Sequence, residues 1–412
     1  MFPSPEINAP EPLTLSTISK RCSNTESFNI TIPDCITSIN YRSFFGFSQI
    51  TSITIPNSVT YIGEYAFSQC TSLIRIILPN SITEICKNAF EDCSSLLEIN
   101  IPNRLNSIAF CVFKDCSAIK NISIPDNVNT IYSHAFSGCR ALSDIAISNS
   151  VNFIFSNAFS CCSSIKNFIV PENIIKIRSC TFFACKSLSS ILLPKSLINI
   201  SWGAFRECSA LTNISIPNGV KKIGNNAFSE CSSLTNISIP KSIEKLGNNI
   251  FSECSSLTNI TIPNVIEIIG RHVFFGEKIL LGIKLPESIK ILNNNTFIEQ
   301  NINSFIIPHC LINEIGDNAF SECFLIENIF IPKGVSKIGK SAFSGCNNLK
   351  NIFIPDSVNS IGRYAFAFCD SLSEIFLSNT NISYGLHVFF CSPTKIKTSS
   401  SFLNFILKNQ LH

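Results

Sequence analysis

The sequence predicts a repeat solenoid of the α/β type, in which extended segments and one helical or 3₁₀ turn per unit stack into a single elongated body. A phrase ending in proline recurs with a period of about 23 residues, and a phenylalanine follows at a fixed distance in each unit. One unit of this size cannot bury its apolar side without neighbours. This repeat period therefore indicates about sixteen stacked coils.

The proline that closes each phrase sets the repeat period, most clearly in residues 234–240, Leu-Thr-Asn-Ile-Ser-Ile-Pro. The anchors that lie one repeat period apart, with Ser148 in the one gap, are Pro33, Pro56, Pro79, Pro102, Pro125, Pro171, Pro194, Pro217, Pro240, Pro263 and Pro286. The next step, to Pro308, is one residue shorter than the period, and the step to Pro332 is one residue longer. The two steps together equal two normal units, so we expect a local bulge around residues 296–315 within one uninterrupted stack.

Each unit has three parts. Leu-x-x-Ile-x-Ile-Pro alternates apolar and polar residues and predicts a strand that pairs with the same strand one coil away. Proline ends this strand because it has no amide to donate to the ladder. A second extended piece follows, as in Ser-Val-x-x-Ile-Gly at residues 58–63. Ala-Phe-x-x-Cys-x-x-Leu, as at residues 66–73, then places apolar groups three apart, which favours a single helical or 3₁₀ turn.

A phenylalanine stands at the same distance after each anchor. The members are Phe44, Phe67, Phe90, Phe113, Phe136, Phe159, Phe182, Phe205, Phe228, Phe251, Phe274 and Phe297. Because the same position of every coil falls in one line along a solenoid, this spacing predicts a stacked aromatic column.

A cysteine follows three positions later in most units, at Cys70, Cys93, Cys116, Cys139, Cys162, Cys185, Cys208, Cys231, Cys254, Cys323, Cys346 and Cys369. Thiols on neighbouring coils are expected about 4.8 Å apart with parallel Cβ directions, whereas a disulfide needs converging Cβ atoms about 3.8 Å apart. We therefore predict small buried thiols that pack the turn. The remaining cysteines share no metal-ligand spacing.

Composition excludes several classes of function. The chain is 45% hydrophobic and 14% charged, which provides apolar material for a continuous core. Its net charge of +3 is close to balance and argues against a nucleic-acid partner. No apolar run is long enough to predict a transmembrane helix. The first residues contain acids and prolines where a secretory signal has basic and apolar regions, so a classical secretion route is not expected.

The two ends differ from the repeats between them. Residues 1–27 hold four prolines and no apolar periodicity, which predicts a flexible leader. The solenoid is predicted to span residues 28–391. Residues 392–412 form a tail whose stretch 402–407 is apolar, and this tail is a candidate cap for the last coil because terminal repeats need one.

The repeated units resemble the BspA-like leucine-rich repeats, whose consensus is Leu-x-x-Leu-x-Leu-Pro-x-x-Leu-x-x-Ile-x-x-x-Ala-Phe-x-x-Cys. In residues 28–391 the Ala-Phe-x-x-Cys signature, with alanine replaced in three units, recurs a dozen times at its spacing from Ile-Pro. The resemblance implies a right-handed leucine-rich-repeat superhelix, with a parallel β-sheet on the concave face and short extended or 3₁₀ turns on the convex side. It also implies surface proteins of bacteria and anaerobic protists that mediate adhesion or host contact.

Strand residues that alternate with the buried ones are expected to point outward across the concave face. Near the C-terminal end this face becomes aromatic, and an exposed apolar stripe is typical of an interaction surface. Two alternatives stay open, namely a slip of the inward and outward alternation there and coverage of the stripe by the apolar tail. The predicted partner-binding residues are Phe330, Phe353 and Phe376, with polar contacts from Asn328, Asn351 and Glu374.

The sequence offers little support for chemistry. Glu207, Glu230 and Glu253 lie on consecutive coils and allow a divalent-cation site as one interpretation, although a solvated turn is the favoured one. No phosphate loop, nucleotide fingerprint, nucleophile elbow or metalloprotease motif occurs. The five histidines lack catalytic or zinc spacing. We therefore predict that the protein is not an enzyme and uses no cofactor.

The predicted function is non-catalytic binding of a protein or peptide on the concave sheet. Two roles stay open. The family resemblance implies an adhesin or antigen at the cell surface. The many unpaired cysteines and the missing signal favour an intracellular scaffold or adaptor in the cytoplasm.

Overall fold

A computed structural model describes residues 28–276, 285–297, 304–306, 312–379 and 381–398. Every regular element in these residues is a β-strand, and the strands are numbered β1 to β31 along the chain. Most coils contribute one strand before the anchor residue and a two-residue strand after it. The fold is a parallel β-solenoid of stacked coils.

The strands that precede the anchors form the first ladder, in which all pairs are parallel and most partners lie one repeat period apart. It is divided into the sheets β1-β3-β5, β8-β10, β12-β14, β16-β18-β20 and β23-β25-β27-β29-β31. Its strands are β1 Phe28–Thr31, β3 Ile50–Thr54, β5 Arg75–Ile77, β8 Asn121–Ile124, β10 Asp144–Ile147, β12 Asn167–Ile169, β14 Ser190–Leu192, β16 Asn213–Ile214, β18 Asn236–Ser238, β20 Asn259–Thr261, β23 Ser304–Ile306, β25 Asn328–Phe330, β27 Asn351–Ile354, β29 Glu374–Leu377 and β31 Lys395–Thr398.

The strands that follow the anchors form the second ladder, which is also parallel. Its sheets are β2-β4-β6, β7-β9-β11, β13-β15-β17 and the seven-stranded β19-β21-β22-β24-β26-β28-β30. Its strands are β2 Ser38–Ile39, β4 Tyr61–Ile62, β6 Glu84–Ile85, β7 Ser107–Ile108, β9 Thr130–Ile131, β11 Phe153–Ile154, β13 Lys176–Ile177, β15 Asn199–Ile200, β17 Lys222–Ile223, β19 Lys245–Leu246, β21 Ile268–Ile269, β22 Ile291–Leu292, β24 Glu314–Ile315, β26 Lys337–Ile338, β28 Ser360–Ile361 and β30 Ser383–Tyr384.

A third set of backbone bonds, here called the turn ladder, follows each second-ladder strand. The amides of Phe67 and Gln69 donate to carbonyls of the next coil at 2.8 Å each. The amide of Ser68 between them donates three positions back within its own coil, to Tyr65 at 3.2 Å, and the amide of Cys70 does the same to Phe67 at 3.2 Å. Successive amides therefore alternate between two roles: one donates within its own coil and closes a tight turn, and the next donates to the neighbouring coil.

The turn ladder stands where a helical or 3₁₀ turn was expected, and the described residues contain no helix. Tyr65 and Gln69 adopt left-handed φ angles of 56° and 63°, and equivalent residues in other coils do the same. A left-handed residue interrupts the repeated geometry that a helix requires. The apolar groups three apart therefore belong to successive turns, and the α/β-type class is not supported. The handedness of the superhelix stays a prediction.

The phenylalanine column is confirmed as the stacked centre of the core. Neighbouring rings lie nearly parallel, with centroids between 5.2 Å for Phe44 and Phe67 and 6.4 Å for Phe251 and Phe274. The column continues beyond the predicted members, because Phe343 stacks on the next phenylalanine at 5.2 Å. Offset aromatic pairs of this kind add about 0.5–1.5 kcal/mol each beyond the burial of their area.

The cysteine beside each ring bonds across coils. The Sγ atom of Cys208 donates to the backbone carbonyl of Phe182 in the preceding coil at 3.1 Å. The other column cysteines make the same bond at 2.9–3.2 Å. In the last coil the hydroxyl of Ser392 takes this role, at 2.7 Å from the carbonyl of Phe366. The column cysteines are buried, so the prediction of small buried thiols that pack the turn is confirmed for them.

The glycine that ends many second-ladder strands marks a close approach between coils. A Cβ atom at Gly362 would lie 2.5 Å from the backbone nitrogen of Lys340 and 2.6 Å from the carbonyl carbon of Gly339. The same crowding surrounds Gly224 and Gly270. A side chain at one of these glycines would therefore require the neighbouring backbone to shift.

The stack continues on both sides of the irregular step after Pro286. β22 pairs in parallel with β24, and Phe297 stacks on Phe320 at 5.3 Å. In the first ladder β23 pairs with β25 at a spacing one residue longer than the repeat period. The bulge expected at 296–315 lies partly outside the described residues. The predicted leader 1–27 and residues 399–412 of the tail lie entirely outside them.

Candidate protein-binding surface

The outward side of the first ladder, here called the strand face, is formed by residues four and two positions before each anchor. In β12, Asn167 and Ile169 are exposed while Phe168 between them is buried. β12 and β14 align so that Ile169 pairs with Leu192. Equivalent residues therefore form continuous rows along the stack, as the alternation predicts.

The structure brings the predicted site residues together in these rows. Phe330, Phe353 and Phe376 are direct partners on β25, β27 and β29. Asn328, Asn351 and Glu374 form the parallel row beside them. Exposure falls along the aromatic row, because Phe330 is 38% exposed, Phe353 is half-buried and Phe376 is only 2% exposed.

The expectation that Phe376 is exposed is therefore wrong. β31, which comes from the tail 392–412, joins the first ladder next to β29 at a spacing two residues short of the repeat period and places Lys397 beside Phe376. The Lys397 ammonium lies 5.8 Å from the centroid of the Phe376 ring and forms an ion pair with Glu374. Coverage by the tail, one of the two alternatives, holds at this residue.

Two aliphatic residues that the sequence analysis did not single out are the most exposed large apolar groups of the strand face. Ile169 is 70% exposed and Leu192 is 60% exposed, and they are direct partners on neighbouring strands. Serine or threonine occupies the same position in several later coils, as in Ser238 and Thr261. The sequence therefore does contain a signal for this pair, because large apolar residues replace serine or threonine at this position of the unit.

The polar part of the strand face lies next to this aliphatic pair. Asn213, Asn236 and Asn259 are exposed partners on β16, β18 and β20. Each amide side chain both donates and accepts hydrogen bonds. The strand face thus combines an apolar patch with a row of adaptable polar groups.

The acidic row of Glu207, Glu230 and Glu253 lies on the turn ladder. Arg206 donates two hydrogen bonds to Glu230, at 2.8 and 3.1 Å, and lies 3.5 Å from Glu207. This arginine partly neutralises the carboxylates and favours the interpretation as a solvated turn. Within the described ranges, no group of three or more histidine, cysteine or acidic residues has the arrangement of a metal site.

No helix in the part of the chain that the structure describes has the length and apolar character needed to cross a membrane.

Comparisons with solved structures find similar leucine-rich repeat proteins. A leucine-rich repeat protein from Bacteroides ovatus is 27% identical with a TM-score of 0.66, and the match covers 90% of this chain and 92% of that chain. A leucine-rich repeat protein from Eubacterium ventriosum is 22% identical with a TM-score of 0.51, and the match covers 77% of this chain and 82% of that chain. A leucine-rich cell surface protein from Faecalibacterium prausnitzii is 25% identical with a TM-score of 0.45, and the match covers 86% of this chain and 89% of that chain. No curated protein matches the sequence.

The family model described as "BspA type Leucine rich repeat region (6 copies)" matches residues 16–117, 106–215, 198–325 and 313–410. These matches overlap and together extend over nearly all of the repeats. The protein therefore belongs to the BspA-type leucine-rich-repeat family.

Proposed function

We propose that this protein is a non-catalytic binding module of the surface antigen or adhesin type, which contacts a protein partner through its strand face. The observation that carries the proposal is the exposure of Ile169 and Leu192 on adjacent strands. Their inward neighbours already fill the core, so the fold does not require large apolar groups at these two positions.

Docking of a partner would remove this aliphatic pair from water. Fully burying one such side chain contributes about 1.5–3 kcal/mol, so the pair offers an apolar centre for an interface. Asn167 and Ser190 flank the pair and are exposed, which provides hydrogen-bonding groups at its edge. An apolar centre with a polar rim is typical of protein interfaces.

The predicted aromatic region forms the second part of the proposed surface. Phe330 and Phe353 offer apolar contact area, with Asn328 and Asn351 as polar neighbours on the same strands. Phe376 and Glu374 complete the two rows and, through Lys397, form the boundary of the contact area.

Replacing the aliphatic pair tests the proposal. The full chain is immobilised, incubated with extracts of cells and of contacted host material, and the bound proteins are identified by mass spectrometry. Ile169→Ser/Leu192→Ser should lower the amount of the specific partner at least roughly tenfold, because both hydrophobic contacts are lost. Ile175→Ser/Ile198→Ser is the matched control, since these exposed isoleucines lie on the same two coils beyond the anchor. Equal retention by both variants would remove the strand face as the binding surface.

An intracellular scaffold is the second candidate, and two exposed free thiols favour it. The column cysteines have a structural reason in their bonds to phenylalanine carbonyls, so they carry no information about the compartment. Cys35 and Cys391 are exposed and free, which is typical of a reducing compartment. A membrane-impermeant maleimide separates the roles: a surface protein is labelled at these two thiols on intact cells, whereas a scaffold is labelled only after lysis.

A further inference from the structure

We propose that a groove along the second ladder binds an extended acidic segment of a partner protein. The groove, here called the lysine groove, contains Lys176, Lys222 and Lys245 at the first position of β13, β17 and β19, together with Lys221 and Trp202. It lies after the anchors, and the proposal is independent of binding at the strand face.

The lysines follow one row along the stack. Lys176 and Lys222 are the two direct partners of Asn199, and Lys245 occupies the same position in the following coil. Three coil steps of about 4.8 Å give the row a length of roughly 14 Å. The depression that these side chains line has a volume of about 980 Å³. This length admits roughly four residues of an extended peptide at about 3.3 Å per residue.

The charges of the lysine groove are unbalanced, whereas six lysines elsewhere among the described residues form cross-coil ion pairs. Lys290 and Lys337 bind the glutamates one repeat period earlier, Glu267 at 2.7 Å and Glu314 at 2.6 Å. Lys350 binds a glutamate at the same spacing, at 2.8 Å. Cross-coil ion pairs with an earlier glutamate are therefore a recurrent arrangement of lysine in this solenoid.

In the lysine groove the residue one repeat period earlier is never acidic. It is Phe153 for Lys176, Ile198 for Lys221, Asn199 for Lys222 and Lys222 for Lys245. None of these four lysines forms an ion pair with a described residue. Glu244 is the one carboxylate among the described residues that line the groove.

The lysine groove places like charges on neighbouring coils. Lys222 and Lys245 carry like charges at the same position of consecutive coils, and like charges at facing positions of neighbouring strands are destabilising. A bound carboxylate between them would convert the repulsion into attraction. The whole chain has a net charge of only +3, so the attraction for an anion is local to the groove.

The other lining groups favour a peptide with carboxylates. Asn199, Asn225 and Ser242 provide short hydrogen-bonding side chains suited to a peptide backbone, and Trp202, which is 45% exposed, provides an apolar surface. Arginine, whose planar guanidinium binds a phosphate or sulfate group through two parallel hydrogen bonds, is absent from the described lining. Lysine binds as a point charge, and an acidic peptide therefore fits the groove better than a sulfated saccharide does.

Trp202 is the only tryptophan of the chain, so intrinsic fluorescence reports directly on the groove. The probe is an oligoglutamate peptide of roughly eight residues, which exceeds the length of the row. Titration into the full chain should give a saturable change of Trp202 emission that weakens with added salt. Lys222→Gln/Lys245→Gln should weaken the apparent affinity roughly tenfold, because two ion pairs with the peptide are lost.

Lys290→Gln/Lys337→Gln is the matched control, because it removes two cations that already have glutamate partners, and it should leave the titration unchanged. Ile169→Ser/Leu192→Ser should also leave it unchanged, which separates this site from the strand face. The proposal is overturned by a flat titration, by equal weakening in the control, or by tighter binding of a heparin-type oligosaccharide of similar charge. Self-association of the chain that competes with the peptide, detected by sedimentation, would instead assign the groove to a second copy.

Discussion

Raising the pH from 8 to 10 is expected to lower the free energy of unfolding by several kcal/mol. Burial raises the pKa of the Cys369 thiol to about 12, and burial raises the thiol pKa values of Cys139, Cys162 and Cys185 in the same direction. In the unfolded chain these thiols titrate near their ordinary value of 9.0. The stabilisation is therefore complete below that pH and is lost as the pH rises towards the folded-state pKa, because only the unfolded state releases protons there.

The size of the effect follows from the number of thiols involved. At pH 10, one unit above its unfolded pKa, Cys369 alone accounts for about 1.4 kcal/mol. The column thiols whose pKa is raised by burial are Cys70, Cys93, Cys116, Cys139, Cys162, Cys185, Cys208, Cys346 and Cys369. Together these thiols account for several kcal/mol if the coils unfold together.

Urea unfolding at pH 8, 9 and 10 measures this dependence, and a serine variant isolates the thiols. Cys139→Ser/Cys162→Ser/Cys185→Ser should reduce the loss between pH 9 and pH 10 by about 3–4 kcal/mol, since three groups no longer titrate. Serine is suited to the position because Ser392 makes the equivalent bond in the last coil. Cys391→Ser is the control variant, because it replaces an exposed thiol outside the column. Identical pH dependence in the triple variant and the wild type would contradict this explanation.

Phe205→Ala is expected to lower the free energy of unfolding by about 3–5 kcal/mol, which is the cost of a large cavity in a packed core. The Phe205 ring is fully buried between Phe182 at 5.6 Å and Phe228 at 5.5 Å. Truncation removes both stacking contacts and leaves a gap between the coils. Urea unfolding followed by circular dichroism provides the measurement.

Phe153→Ala is the control for this substitution, because Phe153 lies in β11 of the second ladder and is 49% exposed. Its replacement should change the free energy of unfolding by less than about 1 kcal/mol. Phe205→Ala should also broaden or split the transition, since each coil of a solenoid contacts only its neighbours. Equal costs at the two positions would show that the aromatic column does not hold the stack together.

The period of the sequence predicted most of the fold because it determines which residues meet. A shift of one repeat period brings Asn199 beside Lys222 and Phe205 beside Phe228, and the structure has both pairs. The turn ladder was not predicted, because residues such as Tyr65 and Gln69 give no sign in their side chains of a left-handed φ. Its amides bind the next coil, a non-local preference that the spacing of apolar groups does not reveal.

The candidate site was predicted in its rows but not in its exposure. The alternation within the strands placed Phe330 and Phe353 correctly on the outward face. Phe376 is covered because β31 joins the ladder two residues short of the repeat period, and a strand outside the period is invisible to an argument based on the period. The lysines of the groove could not have been singled out from the sequence, because other lysines, such as Lys120 and Lys186, also lack an acidic residue one repeat period earlier.

The central claim is that a protein partner docks on the strand face, and site-specific photo-cross-linking tests it most directly. Leu192→benzoylphenylalanine places the photoreactive group on the strand face, and Ile198→benzoylphenylalanine places it beyond the anchor of the same coil. After irradiation with the partner recovered in the binding experiment, mass spectrometry identifies the cross-linked product. The account predicts a product from position 192 and none from position 198. A product from position 198 alone would contradict it.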